Sequence, residues 1–264
     1  MLPTITILDK TIAMYGLMIV LGILIGVGIA VIRRKPYHYD KDDILFASSY
    51  AGIGLVLGAK LLYIITVLPQ IIENWDILSS DINNFYYILS GGFVFYGGLI
   101  GAAIGFSIYC RQYHLNIKKM LYFFAPIIPI IHGFGRVGCF LAGCCYGIAY
   151  EGPLHIIFEH SPVAPNGISL FPIQLVESAS NFIAGILLLI YAKPNRRPGK
   201  TIGLYIIYYA IMRFIYEFLR GDIVRGQFFN ISTSQWISFL LLPIGAYLCF
   251  EVKRKTIQIW KTLI

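Results

Sequence analysis

The sequence predicts an all-α integral membrane protein of about seven transmembrane helices, N-terminus outside and C-terminus cytoplasmic. Three observations carry that expectation. Of 264 residues, 58% are hydrophobic and only 13% charged, too few polar side chains to coat a water-soluble surface. Apolar stretches near the length a bilayer demands, about 20 residues, recur along the chain. The Lys and Arg residues gather in alternate connections between those stretches.

In chain order the stretches lie near residues 12–32, 44–68, 90–110, 119–134, 172–192, 202–220 and 235–251. The first is not a cleavable signal: Arg33, Arg34 and Lys35 follow its apolar run, and no small-residue cleavage site comes after it. It is expected to remain as an anchor. The fourth is short and interrupted by Pro126 and Pro129. The segment after it, Gly135 to Gly147, is therefore expected to carry non-helical backbone at membrane depth, a state tolerated only inside protein or beside a hydrated cavity. Residues 1–264 read as a single transmembrane domain with a short extracytoplasmic segment near 137–171.

The formal charge of +8 raises the question of nucleic-acid binding, which distribution answers. Arg33, Arg34, Lys35 and Lys41 share one side with Arg111, Lys118 and Lys119, with Lys193, Arg196, Arg197 and Lys200, and with Lys253, Arg254, Lys255 and Lys261. Lys10, Arg220 and Arg225 stand opposite. This is the positive-inside pattern, and it leaves no basic stripe for a nucleic-acid partner.

Lys60, Arg136, Glu177, Arg213 and Glu217 fall within or at the ends of predicted spans. A charge at the centre of a membrane helix costs about 2.5–3.5 kcal/mol on insertion scales, so these groups are paired, hydrated or functional. Lys60, near the outer end of its helix, can snorkel to the interface. Arg213, Glu217 and Arg220 are spaced i, i+4, i+7, which predicts one helix face. Pro172 suits the first turn of the fifth span, and Gln174 and Glu177 should face inward.

Two further segments stand out. Gly97, Gly101 and Gly105 recur every four residues, a pattern for close helix packing, while the pairs Gly91-Gly92 and Gly97-Gly98 would also let backbone approach an anionic headgroup near a helix start. The run from Gly135 through Arg136, Cys139, Cys144 and Cys145 to Gly147 holds three of the five cysteines. With His132 they offer four soft ligands, but the spacing matches no zinc pattern, so no metal and no other cofactor is expected. Reduced neighbours packing the loop, or a pairing with Cys139, both stay open.

Taken together, the segments resemble the prolipoprotein diacylglyceryl transferase family along nearly the whole chain. The resemblance rests on Tyr15-Gly16-Leu17-Met18, on Gly97-Gly98-Leu99-Ile100-Gly101, and on Ala125-Pro126-Ile127-Ile128-Pro129 leading to Gly135-Arg136. It continues at Pro172-Ile173-Gln174-Leu175-Val176-Glu177, at Arg213-Phe214-Ile215-Tyr216-Glu217-Phe218-Leu219-Arg220 and at Ser234-Gln235-Trp236-Ile237-Ser238. It implies a multi-pass enzyme of the bacterial cytoplasmic membrane with its site toward the outer side. The implied reaction transfers diacylglyceryl from phosphatidylglycerol to the cysteine thiol of a lipoprotein precursor, with departure of glycerol phosphate. The implied catalytic residues are Arg136, Arg213, Tyr96 and Glu217; the substrate-binding ones are Tyr15, Gly97, Gly98, Gly101, Cys139, Gln174, Glu177 and Arg220.

This chain also departs from the family pattern. Tyr96 stands where the family carries histidine before Gly-Gly-Leu-Ile-Gly, and Cys139 where it carries asparagine after Gly-Arg-x-Gly. Cys144-Cys145-Tyr146-Gly147 replaces Gly-Glu-x-Trp-Gly, and Phe171 follows Gly147 by only 24 positions. Two other readings follow: a phospholipid-dependent paralogue with a glycan or small-molecule acceptor, and a non-catalytic protein that binds lipid or senses redox through its cysteines.

Overall fold

The computed structural model describes residues 3–7, 10–81, 83, 84, 86, 88, 91–194, 198–222, 227–229 and 231–262, the last twelve as backbone only. Arg196, Arg197 and Arg225, and the side chains of Lys10, Lys253, Arg254, Lys255 and Lys261, lie outside what is described. The helices are α1 (Met14–Arg33), α2 (Lys41–Glu73), α3 (Trp75–Ser80), α4 (Phe95–Gln112), α5 (Ile117–Phe124), α6 (Ile128–Ala142), α7 (Ile173–Tyr191), α8 (Pro198–Glu217) and α9 (Thr233–Thr262). Among the described residues five helical stretches are long and apolar enough to cross a membrane: α1, α2, Ile117–Ala142, α7 and Thr233–Phe250. Among the described residues the strands are short antiparallel pairs, Thr4–Ile7 with Lys10–Ala13, Ile156–Ile157 with Ser169–Leu170, and Gln227–Phe228 with Ile231–Ser232.

The contacts divide the chain into two compact units, residues 1–37 with 121–264, and residues 38–120. In the smaller unit α2 packs on α4 through glycine. A Cβ added at Gly97 would meet the Gly58 carbonyl oxygen, one at Gly101 that of Gly54, and one at Gly105 that of Tyr50, all closer than real Cβ atoms come. Backbone therefore lies on backbone at three successive positions, the contact that small residues make possible between membrane helices. Lys60, within α2, donates to the Gly91 carbonyl at 2.7 Å and sits over the Tyr63 and Phe93 rings at 4.9 and 5.3 Å, a local settlement of its charge.

In the larger unit α1 packs on α6, α6 on α7, and α8 on α9. Pro126 lacks an N–H and clashes with a continuous α-helix; the chain answers with a 3-10 turn, Ala125–Ile127, and resumes as α6 with Pro129 in its first turn. Here the structure corrects the sequence reading. Residues 135–142 are helical, and irregular backbone begins only at Gly143.

Arg33 ties the opposite end together, donating to the Ala192 carbonyl and the Tyr37 hydroxyl, both at 3.0 Å. Ala192 closes α7, so a cation meets the carbonyl end of that helix. The α9 start is a capping box: the Ser232 amide donates to Gln235 Oε1 at 3.0 Å and the Gln235 amide to Ser232 Oγ at 3.2 Å.

Candidate active site

Three helices and one turn of the larger unit bring its charged residues together. Arg136 projects from α6 and its Nε lies 2.5 Å from Glu177 Oε2 on α7. On α8, Arg213 Nη2 reaches Glu217 Oε2, one turn on, at 2.7 Å and donates to Ser234 Oγ at the capped start of α9, also at 2.7 Å. One guanidinium nitrogen thus makes both protein contacts. The other, Nη1, is buried with no hydrogen-bond partner.

Arg220 corrects a second expectation. It is not on the face of α8, because that helix ends at Glu217 and the chain turns, with the Phe218 amide bonded to the Ile215 carbonyl and the Leu219 amide to that of Tyr216. Beyond the turn it runs beside residues 146–148: the Ile148 amide donates to the Leu219 carbonyl at 3.1 Å and the Gly221 amide to that of Tyr146 at 3.0 Å. Gly147 pairs with Arg220 itself. This backbone ladder, not helical periodicity, sets the Arg220 guanidinium near Glu177, Nη1 to Oε1 being 3.6 Å, while Asp222 takes Nε and Nη2 at 2.8 and 2.7 Å. The fork is held bidentate and Nη1 is left without a hydrogen bond.

The other face of residues 146–150 meets the segment before α7. The Phe171 amide donates to the Ile148 carbonyl at 2.9 Å and the Tyr150 amide to that of Ser169 at 3.0 Å. Phe158, Ala164 and Leu170 form a small core there with Phe140, Tyr146 and Ile156 against it. Ser161 Oγ donates to the Gly143 carbonyl, and the Ala164 amide donates to the same oxygen. The short head is therefore a packed element fastened to the end of α6.

His132, Arg136, Glu177, Asn181, Tyr208 and Arg213 line a polar cleft, with Tyr209, Met212 and Tyr216. Behind it Ser180 Oγ accepts from the Tyr208 and Tyr216 hydroxyls at 2.9 and 2.7 Å and donates to the Glu177 carbonyl. Glu177 is 2% exposed and Gln174 1%, facing inward as the sequence predicts. Gln174 donates to the Cys144 carbonyl at 2.9 Å. Tyr15 lies on α1 against Gly138, where an added Cβ would come 3.2 Å from Tyr15 Cα.

Cys139, Cys144 and Cys145 are not joined in a disulfide, and their sulfur atoms all lie within 4.8 Å of one another. Hydrogen bonds from Cys139 and then Cys144, with the Arg220 guanidinium adding to them, hold the Cys145 thiol far below its ordinary pKa despite burial. Arg136, Arg213 and Arg220 meet Glu177, Glu217 and Asp222, yet the buried Nη1 atoms of Arg213 and Arg220 are left without a hydrogen bond, an arrangement that can receive an anion.

Of the expected site residues, Arg136, Glu177, Arg213, Glu217 and Arg220 form this ion-pair network, with Gln174 and Cys139 at its Cys144 side. Tyr96, Gly97, Gly98 and Gly101 belong to the smaller unit, Tyr96 exposed on the first turn of α4 and the glycines packed on α2. The sequence singles out neither Asp222 nor Ser180 and offers Ser234 only within the family resemblance, not as a partner of Arg213. Asp222 two residues after Arg220, and the Ser232-Thr233-Ser234-Gln235 capping signature, were the available signals for two of them.

Comparison with known proteins adds to this geometry. A family model described as prolipoprotein diacylglyceryl transferase matches residues 3–251. The phosphatidylglycerol–prolipoprotein diacylglyceryl transferase of Clostridium tetani is 41% identical over 240 residues, 91% of this chain and 92% of that protein. A relative from Clostridium perfringens, whose name carries the number 2, is 37% identical over 91% of this chain and 90% of its own length. One from Finegoldia magna is 30% identical over 92% of each.

Proposed function

The chain belongs to the prolipoprotein diacylglyceryl transferase family, and from that premise we propose that its buried arginines bind the phosphate of phosphatidylglycerol for transfer of diacylglycerol to a lipoprotein precursor. The protein is a transferase of the membrane, and its relatives carry both donor and acceptor in their names. Those names favour the lipoprotein acceptor over a glycan, a small molecule or a purely sensory role.

In the reaction the acceptor cysteine sulfur attacks the glyceryl carbon that bears the phosphate. A carbon–sulfur bond forms, the carbon–oxygen bond to phosphate breaks, and glycerol phosphate leaves with the bonding pair. Negative charge gathers on the phosphate as that bond breaks. Arg213 and Arg136 stabilise it, Glu217 and Glu177 hold their planes, and Arg220 guides the headgroup, a preorganised electrostatic device in a poorly hydrated place. The observation that carries this reading is the Nη1 of Arg213: buried, charged and without a protein acceptor, while its sister nitrogen is fixed by Glu217 and Ser234. An orphaned donor of this kind costs about 1–3 kcal/mol, which a phosphate oxygen would recover.

The thiol proton has to leave as well. Tyr96 fills the family's histidine position, and a neutral phenol lacks the basic ring nitrogen through which an imidazole takes up a proton. The departing phosphate monoester, with a second pKa of about 6, is the better acceptor, and Tyr96 serves as a hydrogen-bond donor to the headgroup. Tyr15, Gly97, Gly98, Gly101, Cys139 and Gln174 complete the proposed substrate contacts. What supports a seven-span topology, N-terminus outside and C-terminus cytoplasmic, is the length of α4 and α8 beside the five apolar stretches and the one-sided Lys and Arg. On that topology residues 143–172 and the arginine site face the outer side of the bacterial cytoplasmic membrane.

Complementation of a strain depleted of its own prolipoprotein diacylglyceryl transferase, read by lipoprotein mobility, tests the assignment. Rescue by this chain that is lost with Arg136→Ala is expected. A well-expressed, membrane-inserted chain that does not rescue would overturn the lipoprotein acceptor.

A further inference from the structure

We propose that Cys139, Cys144 and Cys145 form a three-thiolate site for a soft d10 metal ion of the zinc class. The sequence expectation ran against a metal because Cys-x4-Cys-Cys matches no zinc spacing; the geometry supplies what spacing did not. Helix α6 ends in a Schellman turn: Gly143 is left-handed at φ 69°, its amide donates to the Phe140 carbonyl at 3.1 Å, and the Cys144 amide donates to the Cys139 carbonyl at 3.1 Å. Such a turn folds the second residue past the helix back over the last helical turn, and here those two positions are Cys144 and Cys139. Cys145 also lies in the left-handed region, at φ 58°, a conformation a non-glycine residue adopts at a cost of about 1–2 kcal/mol. The backbone there is held by the ladder from Tyr146 to Gly221 and by Gln174 on the Cys144 carbonyl, so the sulfur stays beside the other two.

All three sulfurs lie within 4.8 Å of one another. Four-coordinate zinc with Zn–S bonds of about 2.3 Å separates its thiolates by roughly 3.8 Å, within a small contraction of this arrangement. A disulfide would use two of the sulfurs and leave the third; a metal ion uses all three. Each thiol gives up its proton on binding, and three thiolates with a divalent ion leave one net negative charge. Arg220, which reaches Cys145, and Arg136 stand beside it, Asp222 and Glu177 being their carboxylate partners. Thiolate ligands select zinc-like and monovalent copper ions over magnesium or calcium. Among the described residues no histidine or carboxylate joins the three thiols, so a fourth position would take a ligand from outside the chain.

The full-length chain, reduced, freed of reductant in detergent and titrated with Cd2+, tests the site. Expected are one equivalent bound per chain, an ultraviolet thiolate-to-metal charge-transfer band, displacement by excess Zn2+, and protection of Cys139, Cys144 and Cys145 from alkylation mapped by peptide mass. Cys110 and Cys249 should label at their metal-free rates, an internal control that requires no variant. Cys145→Ser and Cys139→Ser should each weaken uptake at least about tenfold, since a lost ligand costs no less than a lost outer-shell partner. Equal labelling of all five cysteines with and without Cd2+ would overturn the proposal. So would Cd2+ uptake that survives both substitutions, or protein isolated with two of the three thiols already joined that binds no Cd2+ after reduction.

Discussion

The two compact units solve the burial of difficult groups in opposite ways. Where α2 meets α4, glycines at 54, 58, 97, 101 and 105 remove side chains altogether, so that helix backbones touch, and Lys60 is satisfied by a carbonyl and two rings. Where α6, α7 and α8 meet, large charged side chains are kept and paired, and the pairing is incomplete: Arg136, Arg213 and Arg220 face Glu177, Glu217 and Asp222, with donors to spare. Glycine packing needs nothing from a ligand. An arginine network with unmatched N–H groups leaves donors for a ligand to satisfy.

Removing the shared carboxylate should break the second arrangement most severely. Glu177→Ala leaves Arg136 and Arg220 buried without it, and thermal unfolding in detergent should show a loss of about 3–5 kcal/mol, with Glu177→Gln costing less. A midpoint unmoved by the alanine would mean the network contributes nothing to the fold. Next, Arg213→Ala should lower transfer of labelled diacylglyceryl to a precursor peptide by roughly 10²–10³-fold, the scale of losing one preorganised donor. Arg213→Lys should recover little, because an ammonium has no second nitrogen to offer a phosphate while the first holds Glu217 and Ser234. A loss below about fivefold would place that guanidinium among the merely structural ion pairs.

Gly101→Leu probes the other unit. Its new side chain meets the Gly54 carbonyl, and overpacking of this kind should cost about 1–3 kcal/mol of stability in the same melting experiment. Activity per folded molecule sharpens the contrast: a parallel fall there would give Gly101 a direct share in headgroup binding beyond its packing. The smallest effect is expected at Tyr96. Tyr96→Phe removes one hydroxyl, and if that hydroxyl only donates a hydrogen bond the rate should drop about tenfold. A loss beyond about a hundredfold would make the phenol a true proton-transfer group and overturn the assignment of that step to the leaving phosphate.

Much of this was legible in the sequence. Apolar runs of bilayer length located the helices, and charges within them marked Arg136, Glu177, Arg213 and Glu217, because an unpaired charge in hydrocarbon is too costly to be incidental. The fourfold glycine period announced a close helix contact, and the structure makes α2 the partner of α4. Local patterns failed where long-range backbone pairing took over. Arg220 fits the i, i+7 spacing of a helix that in fact stops at Glu217, and its side chain is aimed by hydrogen bonds to residues 146–148, some seventy positions earlier. The helix through Arg136 to Ala142 departs from the sequence reading, in which a span interrupted at Pro126 and Pro129 stops near residue 134; a 3-10 turn absorbs Pro126 and the helix continues to Ala142.

By itself, then, the sequence determined the solvent, the helical class and the principal charged residues, which follow from composition and from spacing along one chain, and its motifs carried the family resemblance. The tertiary structure decided which carboxylate holds which arginine, which guanidinium nitrogen is left free, and that three cysteines ignored by ligand-spacing rules share one turn. The physical reason is that pairing and ligation depend on distances across helices and on the direction of a turn, and neither is a function of separation in sequence.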